Sequence, residues 1–186
     1  MSDQDRSPWT RHSRQPVYEN PWIRVDHDEV TRPDGSPGIY GVVHFQNRAV
    51  GVVAIDEGDR ILLVGQYRYT LGRYSWELPE GGVPEGESLL DGARRELAEE
   101  TGYTAGSWVE LVRLATSNSV TDEEGALFLA SDLVAGTPDP DGTEELRTRW
   151  VGLEAAVAMI DRGEITDAMT QIGVLRVALA RQQPPA

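Results

Sequence analysis

Short hydrophobic runs separated by turn residues dominate the first two thirds of the chain. Residues 22–30 and 39–45 alternate weakly between apolar and polar positions, and the Pro- and Gly-rich segment between them is typical of a β-hairpin. Residues 49–55 form a continuous β-branched run, which predicts a buried strand, and residues 60–68 predict another after an acidic turn. Further strands are predicted at residues 108–114, 125–133 and 147–151.

Residues 88–101 carry the clearest helical pattern. Ser88 is followed three positions later by Asp91, which is typical of a capped helix start, and Gly102 stands where a helix end is expected. The predicted apolar stripe of this helix is Leu90, Ala93 and Leu97. The pattern therefore predicts one well-delimited amphipathic helix after the fourth predicted strand.

Two more helices are predicted after the last strand, at residues 153–162 and 166–181. The apolar face expected for the second is Met169, Ile172, Leu175, Val177 and Leu179. A sheet with helices both before and after its last strands indicates α/β/α layering. We divide the chain into a loose tail at 1–16, an N-terminal antiparallel strand extension at 17–46 and a main domain at 47–182.

Composition excludes several classes of protein. The chain has 186 residues, 17 Lys and Arg, 31 Asp and Glu, and a net charge of −14, so a nucleic-acid polymer is a poor partner. It has no Cys, which excludes disulfides, Cys-ligated zinc and a thiol nucleophile. The first five residues are polar and acidic, and no apolar run of about 18 residues occurs. We therefore expect a cytoplasmic protein without a signal peptide or a membrane span.

Three carboxylates share one side of the predicted helix, because Glu96, Glu99 and Glu100 stand at positions i, i+3 and i+4. Carboxylates held so close repel one another unless a cation lies among them, and hard oxygen ligands suit Mg²⁺ or Mn²⁺. A solvated acidic face is the alternative. Taken alone, the cluster favours that alternative, because such faces are common on helices.

The residues around the cluster decide between the two interpretations. Residues 81–103 match the pattern G-x5-E-x7-R-E-U-x-E-E-x-G-U at every position, where U is bulky and apolar. Tyr103 is the loosest match, since an aliphatic residue is commoner there. Seven identities at fixed spacing arise by chance at roughly 10⁻⁸ per starting position. The chain thus resembles the Nudix hydrolase family, and its flanking strands fit the Nudix-type α/β/α sandwich with a mixed β-sheet.

The resemblance implies a divalent metal site. Residues 81–103 correspond to the Nudix box of the family, called the box below, and the resemblance implies roles for its residues. The residues that match metal-ligating positions are Glu96, Glu99 and Glu100, with the main-chain carbonyl of Glu80. Glu87 matches an acidic residue that supports the metal site, and Arg95 matches an arginine that pairs with a box carboxylate. Mg²⁺ is the expected cofactor, with Mn²⁺ as the expected substitute. Glu96 and Glu100 are also candidates for the catalytic carboxylates that act as water attacks phosphorus.

Residues outside the box indicate the substrate. Residues 66–69 and 76–82 are similar to the branch that hydrolyses ADP-ribose and nucleoside diphosphate sugars, which implies that Arg68 contacts the diphosphate and that Glu77 lies near the metal or substrate. Residues 117–119 read Ser-Asn-Ser, without the Pro that many ADP-ribose hydrolases have there. That departure favours a broader specificity for nucleoside diphosphate sugars.

The same branch implies a catalytic base and a base-stacking group outside the box. Glu144 and Glu145, on an acidic loop before the last strand, are candidates for the base, although a plain solvated loop is equally open. Enzymes of this branch exchange N-terminal strands across a homodimer, so Tyr40 and Trp22 are candidates for stacking on the nucleobase. Ordinary strand packing is the alternative for both. The expected partners are a small nucleotide and a second copy of the chain, with no membrane.

Other functions remain open on the sequence alone. The chain could act on a nucleoside triphosphate or a dinucleoside polyphosphate, since the box does not select the substrate. A non-catalytic nucleotide sensor is the alternative from another class. An intact box and the lack of an attached DNA-binding module argue against a sensor.

Overall fold

The computed structural model describes residues 6–139 and 145–182. These residues divide into two compact units. The smaller unit lies within residues 1–47 and 115–123, and the larger within residues 48–114 and 124–186. In the described part of the chain, no helix is long and apolar enough to cross a membrane.

The smaller unit contains a three-stranded antiparallel sheet. Its strands are β1 (Thr10–Glu19), β2 (Ile23–Thr31) and β3 (Pro37–Phe45), in the order β1-β2-β3. The hairpin of β2 and β3 is the predicted one. The prediction of a loose tail at 1–16 is wrong for residues 10–16, which belong to β1. Every residue of β1 is exposed, so the strand pairs through its main chain and has no buried face for a sequence pattern to mark.

Two buried aspartates lie in this small sheet. The carboxylate of Asp28 accepts two hydrogen bonds of 2.8 Å from Arg14, whose guanidinium lowers the pKa of Asp28. Asp26 lies 3.1 Å from both Arg24 and His44. Buried charges are tolerated when they are paired in this way, so the network is consistent with a sheet that folds in the absence of a large apolar core.

The segment 115–123 packs on β3. The main-chain N–H of Val43 donates to the carbonyl of Val120 at 2.8 Å, and the hydroxyl of Tyr40 donates to the carbonyl of Ser119 at 2.9 Å. His44 Nδ1 lies 2.6 Å from Asp122 Oδ2. The structure therefore groups this segment with the small sheet, whereas the sequence division had placed it in the main domain.

The larger unit contains two sheets. Its strands are β4 (Arg48–Ala54), β5 (Arg60–Arg68), β6 (Arg73–Glu77), β7 (Glu80–Val83), β8 (Tyr103–Ala115), β9 (Glu124–Ala135) and β10 (Arg147–Gly152). One sheet has the order β7-β4-β9-β8 and is mixed, because β4 pairs parallel with β9 and antiparallel with β7. The other has the order β10-β5-β6 and is antiparallel. The predicted strands are present, whereas the short β6 and β7 were missed because charged residues and glycines obscure their pattern.

Three helices complete the larger unit among the described residues: α1 (Leu89–Thr101), α2 (Leu153–Asp161) and α3 (Ala168–Gln182). The predicted limits of α1 are confirmed. The hydroxyl of Ser88 accepts a hydrogen bond from the main-chain N–H of Asp91 at 3.1 Å, and Gly102 ends the helix with a φ of +76°.

The helices cover two apolar clusters of the larger unit. The first contains Val50, Val52, Ala54, Leu62, Val83, Ala93, Leu97, Ala126, Phe128 and Ala130. The second contains Val53, Ile55, Ile61, Leu63, Leu78, Leu127, Leu153, Ala156, Met159, Ile165, Met169, Val174 and Val177. Because α1 packs on one cluster and α2 and α3 on the other, the β4 and β9 strands lie between helical layers. The predicted α/β/α sandwich with a mixed sheet is confirmed.

The predicted apolar face of α3 is only partly correct. Met169 and Val177 are buried, but Ile172, Leu175 and Leu179 are 36%, 39% and 54% exposed. The buried face also contains Thr170, Gly173 and Val174. A Cβ atom at Gly173 would lie 2.8 Å from Leu78 and 2.9 Å from Val53, so close approach to the sheet selects a small residue there.

We expect the substitution Thr170→Val to destabilise the larger unit. The Thr170 side chain is fully buried, and its hydroxyl accepts a hydrogen bond of 3.0 Å from the main-chain N–H of Leu78. Valine keeps the shape but leaves that N–H unpaired, which costs about 1–3 kcal/mol. Urea denaturation measures the loss, with Thr166→Val at the exposed neighbouring position as the control. Equal unfolding free energies for the two variants would contradict the assignment.

Candidate active site

Strand β7 and helix α1 bring Glu80 and the glutamates of the box together. The main-chain N–H of Glu80 donates to Glu100 Oε2 at 3.1 Å, and Arg95 Nη2 donates to the carbonyl of Gly82 at 2.8 Å. Glu100 is buried, with 5% of its surface exposed. These bonds fix the carboxylate-bearing side of α1 against the main chain of β7.

Arg95 is the centre of a network of carboxylates. It donates to Glu87 at 3.0 Å, to Glu96 at 2.7 Å and to Glu99 at 3.1 Å. Its hydrogen bonds to Glu87, followed by those to Glu96 and Glu99, raise the pKa of Arg95 although partial burial opposes this. The side chain therefore ties the loop before α1 to the helix, as the resemblance implies, and holds three negative charges close together.

The carboxylate of Glu96 lies directly over Gly81. A Cβ atom built on Gly81 would overlap the Glu96 carboxylate, so a side chain at this position requires that carboxylate to move. The first residue of the box is thus a glycine because a carboxylate occupies the place of its side chain.

A second group of charges lies at the ends of β5 and β6. Arg68 Nε donates to Glu77 Oε2 at 2.8 Å, and Arg68 Nη2 donates to Glu80 Oε1 at 3.0 Å. Glu77 is 3% exposed, while the Arg68 side chain is 35% exposed. Burial alone would lower the pKa of Arg68, but its hydrogen bonds to Glu77 and the charges of Glu77, Glu80 and Asp167 raise it. Arg68 Nη1 donates no hydrogen bond to any described residue, so it can bind an anion.

Glu80 joins the two groups. Its main-chain N–H donates a hydrogen bond to Glu100, and its carboxylate accepts a hydrogen bond from Arg68. Burial, then the charges of Asp167 and Glu77, raise the pKa of Glu80 well above its ordinary value, and Arg68 opposes them. Glu80 Oε2 is shielded from solvent and accepts no hydrogen bond from the described residues.

Asp167 was not among the predicted site residues. Its Oδ2 accepts a hydrogen bond of 2.7 Å from the main-chain N–H of Thr170, so it caps the start of α3. From there its charge acts on both Glu80 and Arg68. The predicted helix begins at residue 166 and so includes Asp167, whereas the observed helix begins at Ala168 and leaves Asp167 as its cap. Only the tertiary packing places it beside strands β5 and β7.

The residue types at this site fit a hard divalent cation. Among the described residues, no three His, Asp or Glu side chains are grouped closely enough to hold a metal ion. Several of the carboxylates are instead ion-paired with Arg68 or Arg95. Two observations nevertheless favour a cation. Glu80 Oε2 is buried without a hydrogen-bond donor, and the glycine at position 81 makes room for the Glu96 carboxylate. Glu96, Glu99, Glu100 and Glu80 supply the oxygen atoms that Mg²⁺ or Mn²⁺ prefers.

The remaining predicted residues lie elsewhere or outside the described residues. Glu144 is outside them, and Glu145 is exposed just before β10. Tyr40 and Trp22 lie in the smaller unit, where the Tyr40 ring packs edge-on against Trp9 with centroids 5.3 Å apart and Trp22 is 71% exposed. The proposed roles of all four residues stay predictions.

Comparison with known proteins agrees with this geometry. Residues 45–169 match the model of the NUDIX domain, and residues 9–43 match the nucleoside diphosphate sugar hydrolase N-terminal domain. The chain is 38% identical to an ADP-ribose pyrophosphatase of Mycobacterium tuberculosis, over 89% of this chain and 81% of that protein. It is 31% identical to a CMP-5'-(N-acetyl-N-hydroxy-3-aminopropyl)phosphonate hydrolase of Streptomyces rubellomurinus, over 95% and 86%.

A solved structure shows the same fold. The crystal structure of an ADP compounds hydrolase superimposes with a TM-score of 0.84 over 92% of this chain and 93% of the other, at 21% identity. The NUDIX match covers more than half of the chain, and it includes the box, the helix α1 and the strands on both sides. The resemblance found in residues 81–103 is confirmed, and the chain belongs to the Nudix hydrolase family.

Proposed function

We propose that the protein hydrolyses the diphosphate bond of ADP-ribose or a related nucleoside diphosphate sugar, giving a nucleoside monophosphate and a sugar phosphate. The observation that carries the proposal is the position of Arg68, which is ion-paired with Glu77 and Glu80 directly before the box and whose Nη1 donates to no described residue. Both the N-terminal family match and the mycobacterial relative point to the same substrate class. We propose that the reaction takes place in the cytoplasm.

The cofactor belongs to the proposal as well. Nudix enzymes generally use divalent metal ions, and we propose Mg²⁺ here, with Mn²⁺ able to replace it. Glu96, Glu99, Glu100 and the main-chain carbonyl of Glu80 would hold the metal. A divalent ion at such a site neutralises phosphate charge and lowers the pKa of bound water.

The protein's own residues orient the substrate around this site. Arg68 Nη1 binds a diphosphate oxygen, while Glu77 holds the guanidinium in place through its two-point contact with Arg68. Arg95 Nη1 donates to both Glu96 and Glu99 and thereby restricts the positions of their side chains. Such preorganisation is worth several kcal/mol, because the groups do not have to be ordered during the reaction.

A carboxylate must accept the proton of the attacking water. We propose Glu144 or Glu145 for this role, with Glu96 and Glu100 as the alternatives within the box. Glu145 lies just before β10, whose first residue Arg147 pairs with Gly65 of β5. The pH profile of kcat for Glu144→Gln and Glu145→Gln separates the candidates, because loss of the base removes the acidic limb of the profile.

We also propose that the protein is a homodimer that exchanges its N-terminal sheets, with Tyr40 or Trp22 stacking on the nucleobase. The smaller unit has exposed apolar side chains that a monomer would leave in water: Val17, Tyr18, Trp22, Ile39 and Phe45. A second copy of the chain would cover part of this apolar surface. A monomeric mass by light scattering would reject the dimer.

A substrate panel tests the proposed function. ADP-ribose, ADP-glucose, GDP-mannose and UDP-glucose are compared with dATP and a diadenosine polyphosphate, with Mg²⁺ and with EDTA. We expect turnover of at least one diphosphate sugar that is abolished by the chelator. Activity confined to dATP or to the diadenosine compound would favour the alternative Nudix substrates, and binding without any turnover would favour a sensor.

A further inference from the structure

The two carboxylate oxygens of Glu80 differ in their hydrogen bonding to the described residues. Glu80 Oε1 accepts a hydrogen bond of 3.0 Å from Arg68 Nη2. Glu80 Oε2 is buried and accepts no hydrogen bond from the described residues, and the side chain as a whole is 14% exposed. A carboxylate oxygen shielded from water without a donor is unfavourable, so its position calls for a cation.

The charges around Glu80 also favour a cation. Glu77, Glu100 and Asp167 all act on the Glu80 carboxylate with negative charge, and Arg68 is the cation that opposes them. Arg68 is moreover shared with the buried Glu77. One guanidinium therefore faces several carboxylates, and the excess of negative charge favours a divalent cation at Glu80 Oε2.

We propose that the Glu80 carboxylate bridges Arg68 and the divalent cation, with Oε1 on the guanidinium and Oε2 on the metal. The inference rests on the proposed function, in which Arg68 binds the diphosphate. It goes beyond the role implied by the family resemblance, which assigns only the main-chain carbonyl at this position. The bridge couples the two halves of the site, because a change in the position of Arg68 is transmitted through one carboxylate to the metal.

Two properties of Glu80→Gln test the bridge. The amide keeps an oxygen for Arg68 but is a poor ligand for a hard cation, so we expect Mn²⁺ to bind the metal-free protein at least about 10-fold more weakly by calorimetric titration. In EDTA the variant is expected to unfold at a higher temperature than the wild type, since a buried charge next to three other carboxylates has been removed. Added Mn²⁺ should then raise its unfolding temperature by less.

Glu85→Gln is the matched control, because it removes the same charge from an exposed position in the loop that follows β7. It should leave both the Mn²⁺ affinity and the unfolding temperature in EDTA unchanged. Mn²⁺ binding by Glu80→Gln at wild-type affinity would overturn the bridge, as would a lower unfolding temperature in EDTA, which would indicate a structural role. Turnover by the wild-type protein is measured on the same preparation as a separate test of the proposed function. Metal affinity does not depend on which nucleotide is cleaved, so a failure of the proposed function would leave the Mn²⁺ titration valid.

Discussion

Replacement of Glu100 by Gln is expected to lower kcat by about 10³-fold while the protein stays folded. Glu100 is buried, and its Oε2 accepts the main-chain N–H of Glu80, a bond that the amide oxygen of Gln can also accept. The substitution thus keeps the packing and removes the negative charge that we propose holds the metal. Steady-state kinetics with the best substrate of the panel measure the effect.

Glu154→Gln is a suitable control for Glu100→Gln. Glu154 lies in the first turn of α2 and is exposed, so the loss of its charge should change kcat by less than about 2-fold. Thermal unfolding of both variants excludes a general loss of structure. Wild-type turnover by a folded Glu100→Gln protein would contradict the metal assignment.

Gly81→Ala is expected to lower kcat by about 10²-fold with little loss of stability. The added methyl group would overlap the Glu96 carboxylate, 2.2 Å away, and that carboxylate is the mobile end of a long side chain. Glu96 therefore moves rather than the main chain, and it leaves the position in which Arg95 holds it. Kinetics and urea denaturation together separate the two effects.

Gly152→Ala provides the comparison for Gly81→Ala. A Cβ atom at Gly152 meets nothing within 4 Å, and its φ of −58° suits any residue. Its activity should equal that of the wild type. If Gly81→Ala were as active as Gly152→Ala, the close approach of Glu96 to the β7 main chain would not matter for the reaction.

The local part of the site was predictable from the sequence. The box spacing determines which carboxylates share a face of α1, because helical geometry relates positions i, i+3 and i+4 without any tertiary information. The caps at Ser88 and Gly102 follow from short-range chemistry in the same way. The side-chain bonds of Arg95 to Glu96 and Glu99 also span at most four residues.

The contacts between distant segments were not predictable. Arg68 and Glu77 belong to neighbouring strands, but in the register Arg68 faces Arg73 and Glu77 faces Val64, so the pair alone would not be expected to meet. Their contact depends on the twist of the strands and on the length of the arginine. Asp167 joins them only because α3 begins beside these strands, a consequence of packing that no local pattern encodes.

Two errors in the fold predicted from the sequence have a common cause. β1 has no buried face, and the buried face of α3 includes Thr170 and Gly173 in place of the expected Ile172, Leu175 and Leu179. A hydrophobic pattern marks only elements that bury large apolar side chains. Edge strands that pair through the main chain, and helices that approach closely through small residues, lack that mark.

The most direct test of the central claim is to identify the products formed from ADP-ribose. The protein is incubated with ADP-ribose and Mg²⁺, and the nucleotides are separated by anion-exchange chromatography, with EDTA and Glu100→Gln as parallel samples. We predict AMP and ribose 5-phosphate in equal amounts with Mg²⁺ and the wild-type protein, and intact ADP-ribose in both other samples. Equal cleavage in all three samples would contradict a metal-dependent diphosphate hydrolase built on these carboxylates. Intact ADP-ribose in all three samples would contradict the cleavage of ADP-ribose itself and leave another nucleoside diphosphate sugar as the substrate.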